Sequence, residues 1–333
     1  MGTPVDPVPP TVQDALTSAA NSPGYPQTAG TPQLRDAAAG WLAREHGVSV
    51  DPGAILPVIG TKEIIASLPA LLGCGPADTV VHPELAYPTY AIGAHLAGAR
   101  AVAADGLASL GPGQVRLVWV NSPANPTGRV LPAAHLRKMT DWARERGAIL
   151  ASDECYLGLA WEAEPVSVLH PGVSGGSADR LLAVYSLSKR SNLAGYRAGF
   201  VTGDPALVAE LLEVRRHAGL MVPSPVQAAM AAALDDDAHA QQQRARYAAR
   251  RARLRAALEQ AGWTIEHSEA GLYLWASRDG LDGWGSVGAL AGAGILVAPG
   301  EFYGPPGGRH IRVALTATDE RIDAAVGRLG RLG

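Results

Sequence analysis

Cysteine is almost missing: the 333 residues contain two, Cys74 and Cys155. That is too few for a disulfide framework and fits a reducing compartment, so a cytoplasmic location is expected. No CxxC or HExxH spacing occurs and the nine histidines are scattered, so no metal site is expected. No run of eighteen apolar residues is present, which argues against a membrane span. The opening MGTPVDPVPP has neither a basic n-region nor an apolar h-region, so it does not read as a secretory signal. Asp6 also breaks the myristoylation pattern. Basic charge is not in excess either, with 28 basic against 31 acidic residues and a net charge of −3. A duplex-binding protein needs a basic face to displace counterions, so nucleic acid is not an expected partner. The densest basic run, QRARYAARRARLR at 243–255, reads as the solvated face of a long helix. Aromatic residues make up only 5%, so alanine, valine and leucine must fill the core. Hydrophobic residues nevertheless reach 47%, which excludes a disordered chain.

The length fits about two domains, or one large α/β unit with an appendage. Short β-rich runs recur at 55–59 (ILPVI), 78–82 (DTVVH), 99–103 (ARAVA), 116–120 (RLVWV), 148–152 (AILAS), 181–186 (LLAVYS) and 198–203 (AGFVTG). Helical spacing of apolar residues appears between most of them, at 61–72, 87–96, 132–146 and 205–217. Strands that alternate with helices, several of them continuous apolar runs, predict an α/β fold with a mostly parallel sheet covered on both faces. The pattern changes after Pro223 and Pro225. A long helical stretch at 226–260 is interrupted near Asp235, Asp236 and Asp237. Strands are expected at 263–267, 272–277, 295–299 and 310–315, with helices near 285–293 and from Asp319 onward, where Thr318 is placed to cap. This mixed order predicts a smaller α+β domain. The expected division is 1–30 as an N-terminal segment, 31–222 as the large domain and 223–333 as the small one.

Several polar residues fall at predicted strand ends. Ser186, Ser188 and Lys189 follow LLAVY directly, and Arg197 lies eight residues further on. Burial depresses a lysine pKa, and a neutral amine can attack a carbonyl to form a Schiff base. Serine hydroxyls and a guanidinium fork suit a phosphate. Alone, this text fits a polar strand end with a solvated Lys-Arg pair better. Asp153 and Tyr156 follow AILAS, where a parallel sheet opens on its ligand crevice; Asp153 could also be a helix N-cap. Asn125, in the NPTG at 125–128, sits at the crevice or in a plain turn. Gly60, Thr61 and Lys62 open a helix, where free backbone N–H groups attract anions. Tyr87 and Tyr90 offer an aromatic face or ordinary core packing.

The order of these signals along the chain resembles that of the class I/II aminotransferases, pyridoxal-phosphate enzymes of fold type I, over essentially the whole length. SLSKRSNLAGYRAGF at 186–200 is similar to their cofactor-lysine signature, and NPTG (125–128) and SDECY (152–156) match two further blocks. A closer resemblance is to the actinobacterial N-succinyldiaminopimelate aminotransferases. It rests on GTPVDPVP (2–9), GYPQTAGTPQLRDA (24–37), ILVAPGEFYGPPG (295–307) and HIRVALTATDERI (310–322).

The resemblance implies pyridoxal 5'-phosphate as cofactor, carried by Lys189, which then serves as the base. It implies that Asp153 pairs with the ring nitrogen, that Asn125 and Tyr156 bond the ring hydroxyl oxygen, and that Tyr87 stacks on the ring. Gly60, Thr61, Lys62, Ser186, Ser188 and Arg197 would hold the phosphate, helped by Tyr25 from across a homodimer interface. Arg312 would bind the substrate α-carboxylate, with Asn125 nearby, and Gly30 would line the entrance. The implied reaction exchanges an amino group between glutamate and N-succinyl-L-2-amino-6-oxopimelate, in diaminopimelate and lysine synthesis. Arg129, Arg190, Arg35 and Lys62 are available for distal carboxylates. Two other readings stand beside it: a different aminotransferase or carbon–sulfur β-lyase on the same scaffold, and a non-catalytic ligand-sensing domain of a regulator.

Overall fold

The computed structural model describes residues 2–106 and 114–332. The strand-like runs assemble into one seven-stranded sheet. Its members are β1 (Ile55–Ile59), β2 (Thr79–His82), β3 (Arg100–Ala103), β4 (Val115–Asn121), β5 (Ile149–Asp153), β6 (Leu181–Ser186) and β7 (Ala198–Gly203), in the order β1-β7-β6-β5-β4-β2-β3. Six strands run parallel and β7 runs against both of its neighbours. Alternating side chains face opposite layers. Leu181, Ala183 and Tyr185 enter one core cluster, while Leu182 and Val184 enter the other. Both faces are buried, so these strands read as continuous apolar runs rather than as an alternation.

The helices are α1 (Pro10–Ser18), α2 (Pro32–His46), α3 (Thr61–Leu71), α4 (Thr89–Leu96), α5 (Ala133–Arg146), α6 (Pro171–Ser174), α7 (Leu187–Arg190), α8 (Pro205–His217), α9 (Ser224–Asp235), α10 (Asp237–Gln260), α11 (Gly283–Gly292) and α12 (Asp319–Leu329). Helices α3, α4 and α8 cover one face of the sheet through Ile64, Leu68, Ala94 and Leu211. Helices α2 and α5 cover the other through Leu34, Trp41, Leu42, Leu136 and Met139. Each buried aliphatic side chain of this kind contributes about 1.5–3 kcal/mol.

Antiparallel strands β8 (Thr264–Glu266), β9 (Tyr273–Ser277), β10 (Ala298–Pro299) and β11 (His310–Ala314) form a second sheet ordered β10-β11-β9-β8. It packs with α10, α11 and α12 around Tyr247, Leu258, Trp263, Leu290 and Ile322. The expected break in the long helix is real and has a local cause. The Asp236 side chain accepts hydrogen bonds from the N–H groups of Ala238 and His239, which caps α10. Thr318 caps α12 in the same way.

Two expectations change. The strand expected over 295–299 shrinks to Ala298–Pro299, which pairs with Arg312 and Ile311 of β11. Helix α9 lies beyond residue 222, yet its Ala229, Met230, Ala233 and Leu234 belong to the core of the large sheet. No helix among the described residues is long and apolar enough to cross a membrane.

The end of α2 carries a testable electrostatic feature. The His46 ring meets Trp41 edge-on at 4.7 Å. Burial, with the Arg190 charge beside it, pushes the His46 pKa from 6.5 down to about 4. The unfolded chain takes up this proton at the higher pH and the native chain only at the lower one, so native stability falls as pH drops through that window. His46→Leu should remove about 1–2 kcal/mol of this acid sensitivity at pH 5. Urea midpoints of both proteins at pH 7 and pH 5 check the expectation.

Candidate active site

The parallel strands end on one edge of the sheet, and the functional side chains sit there. Asn121 at the end of β4 pairs with Asp153 at the end of β5, and Asp153 with Val184 of β6. The reversal of β7 matters here. Ser186 is opposite Gly199, and Ile59 is opposite Ala198. The start of β7, with Arg197 just before it, therefore lies on the same edge as the ends of β1 and β6. A cavity of about 790 Å³ opens at this edge, within the size range of small-molecule sites. Thr61, Lys62, Tyr87, Asn125, Asp153, Tyr156, Ser186, Ser188, Lys189, Arg197 and Arg312 all line it.

One end of the cavity is built for an anion. Gly60 caps α3 at φ +70° with no side chain of its own to bond the helix start, and a helix start presents backbone N–H groups to an anion. A Cβ at Gly60 would lie 2.2 Å from Arg197 Nη2, so only glycine lets the guanidinium approach. Arg197 donates through Nη1 to the Ala194 carbonyl at 2.9 Å. Ser186 Oγ accepts from the Ser188 N–H at 3.2 Å and so caps the short helix bearing Lys189. Glu63 brings a negative charge close by, and the fully buried Arg215 neutralises it through contacts of 2.7 and 2.9 Å.

The middle of the cavity is titratable. Asp153 Oδ2 accepts from Tyr90 Oη at 2.7 Å, and Oδ1 from the Cys155 N–H at 3.2 Å. Burial pushes the Asp153 carboxyl up, while these bonds and the Lys189 charge oppose the rise. A cation beside Asp153 would restore the carboxylate. Burial pushes the Lys189 amine down, and the charges of Arg312 and Arg197 add to the effect. Its Nζ donates to the Gly2 carbonyl at 2.8 Å. Tyr156 Oη lies 3.2 Å from Tyr273 Oη.

Arg312 stands at the other end, on β11. Its side chain lies off the face used by Ile311 and Val313, as the strand alternation requires. Nη1 donates to Asn125 Oδ1 at 2.8 Å. The guanidinium carbon is 3.9 Å from the Tyr273 ring centre and 4.7 Å from that of Tyr303. Its buried Nε has no partner among the described residues.

Gly60 supports the cavity from beside Arg197, but two expected residues stand apart from it. Tyr25 is 94% exposed, and Gly30 packs against Pro57. Of the basic candidates, Lys62 lines the cavity. Arg190 is instead paired with Asp237 at 3.0 Å and lies over Trp41. Arg129 lines a separate cleft beside Trp119. Gly2, Thr3, Cys155, Tyr273, Phe302 and Tyr303 line the cavity without having been expected to. Cys155 arrives with its neighbours Asp153 and Tyr156, and the others through packing between segments distant in the chain.

The fold and the edge cavity define an α/β enzyme that works on a small anionic substrate. The chain matches the family model for aminotransferase class I and II over residues 4–329, and it belongs to that family. It is 64% identical over 330 residues to a probable aminotransferase of Mycobacterium tuberculosis, covering 99% of this chain and 79% of that protein. It is 60% identical over 329 residues to the 4-dedimethylamino-4-oxo-anhydrotetracycline transaminase OxyQ of Streptomyces rimosus, covering 99% and 91%. Among solved structures, a probable N-succinyldiaminopimelate aminotransferase of Thermus thermophilus superposes with a TM-score of 0.88 at 29% identity, covering 100% and 94%. The fold is that of the fold-type I aminotransferases, and the protein is a pyridoxal-phosphate-dependent aminotransferase of amino and oxo acids.

The residues present fit that cofactor. The glycine cradle at the start of α3, Arg197, Ser186 and Ser188 match a phosphate dianion. Asp153, sealed from water and held by Tyr90, matches a protonated ring nitrogen.

Proposed function

We propose that this aminotransferase moves an amino group between glutamate and N-succinyl-L-2-amino-6-oxopimelate. The observation that carries the reading is the convergence of Lys189, Asp153 and Arg312 on one cavity. The structural neighbour from Thermus thermophilus supports the acceptor.

Bound pyridoxal phosphate supplies the carbonyl group and the electron sink. The protein supplies the rest. Arg312 binds the substrate carboxylate as a planar fork, oriented by Asn125 Oδ1. The flanking Tyr273 and Tyr303 rings exclude water from that contact. Lys189, whose amine burial holds toward neutrality, takes a proton from the substrate carbon and returns it. Asp153 holds positive charge on the ring nitrogen, and Tyr90 fixes the carboxylate for that task. Tyr156 and Asn125 would bond the ring hydroxyl, and Tyr87 would face the ring. We further propose a homodimer in which the exposed Tyr25 reaches its partner's phosphate site. Sedimentation at the mass of one 34.4 kDa chain would refute the dimer.

The assay couples N-succinyl-LL-2,6-diaminopimelate and 2-oxoglutarate to glutamate formation. Both half-reactions share one site, so double-reciprocal plots should run parallel; intersecting lines would refute the scheme. A second reading has specific support in the identity to OxyQ: the acceptor is a 4-oxo-anhydrotetracycline-type ketone. Turnover of that ketone without turnover of the succinylated substrate would select it. Pyruvate release from cystathionine would instead mark a β-lyase.

A further inference from the structure

Two large aromatic side chains, one lining the cavity and the other packed against it, are exposed on this chain. Trp284 is 52% exposed and Phe302 is 57% exposed. Their rings meet edge-on at 5.7 Å and 79°. The Trp284 indole N–H donates to the Glu301 carboxylate at 2.8 Å, which holds the indole in place. Phe302 lines the reaction cavity, as does its neighbour Tyr303. With Tyr303 against Arg312 at 4.7 Å, aromatic surface continues from the carboxylate-binding arginine out to solvent.

The loop bearing Phe302 is tied down through its backbone. The Ala86 N–H donates to the Tyr303 carbonyl at 2.8 Å, which ties the loop to the segment bearing Tyr87. Gly304 adopts φ +137°, and a Cβ there would lie 2.2 Å from the Glu84 carbonyl oxygen. A preformed aromatic surface next to a reaction cavity lowers the ordering cost of binding. Its chemistry is apolar, and Glu301 at its edge disfavours a second carboxylate on the ledge itself.

We propose that the Trp284–Phe302 pair is the subsite for the uncharged body of the acceptor, the methylene chain or fused rings beyond the reacting carbonyl. The subsite makes the enzyme select extended acceptors over short oxo acids. This deepens the substrate reading above, rests on it, and holds for either acceptor named there.

The test uses holoenzyme with glutamate as donor and three acceptors: 2-oxooctanoate (a chain), indole-3-pyruvate (a ring) and pyruvate (short). Trp284→Ala should lower the ratio of kcat/KM for the extended acceptors to that for pyruvate about tenfold, equivalent to about 1.4 kcal/mol, chiefly through KM. Trp284→Phe should restore most of it. A fall with only one extended probe supports the subsite and tells whether it reads chain or ring. A ratio within about twofold of wild type for both probes overturns it. If glutamate serves none of the three acceptors, the donor assignment fails. The ledge is then judged by calorimetric affinity for 2-oxooctanoate in wild-type and Trp284→Ala holoenzyme, where equal affinities overturn it.

Discussion

Lys189→Ala should slow amino transfer by on the order of 10⁴-fold, because both covalent attachment and the proton-shuttling amine are lost. Stopped-flow single turnover with glutamate measures the rate. Borohydride treatment of the cofactor-saturated variant should leave no labelled peptide spanning position 189. The same substitution should not weaken the fold. Burial disfavours the Lys189 charge, and Arg312 and Arg197 repel it. The loss is one hydrogen bond to the Gly2 carbonyl, worth about 0.5–1.5 kcal/mol. Relief of the buried charge offsets it, so the cofactor-free variant should melt no lower than wild type. A desolvated lysine kept for chemistry is the kind of site where activity opposes stability.

The second large effect concerns Arg312. Arg312→Leu should lower kcat/KM for glutamate by roughly 10²–10³-fold, the consequence of losing a buried charge-assisted contact of about 2–5 kcal/mol. Three features point to a missing anionic partner: burial, the unpartnered Nε, and a hydrogen bond to a neutral amide rather than a carboxylate. Arg312→Lys keeps the charge but loses the fork, so it should recover little. An amine donor without a carboxylate should be nearly insensitive to either change. Equal losses for glutamate and for such an amine would show that Arg312 only supports the fold.

Much of the cavity was readable from strand ends. Lys189, Asp153 and Asn125 each follow an apolar run, and in a parallel sheet every such end opens on the same edge. The run AGFVTG could not show that β7 runs backwards, because a strand buried along its whole length carries no mark of its direction. That reversal is what brings Arg197 to the phosphate end. Tyr90 stood in view within YPTY, but its bond to Asp153 depends on how α4 packs on the sheet. Tyr273, Tyr303 and Gly2 reach the cavity from the second sheet and the opposite end of the chain, and no local pattern marks them. The helix α9 looked like the start of the smaller unit because prolines precede it. Its small apolar face fits the groove beside α1 and α2 instead.

The lone backward strand also has a consequence during synthesis. Among the described residues β1 is the edge strand of the large sheet, and β7 is the strand it pairs with. Ile55–Ile59 therefore emerges from the ribosome as an unpaired apolar ribbon and waits for Ala198–Gly203. At ~5–20 residues per second the delay is on the order of ten seconds. That border of the large sheet can therefore close only after Gly203 has been made.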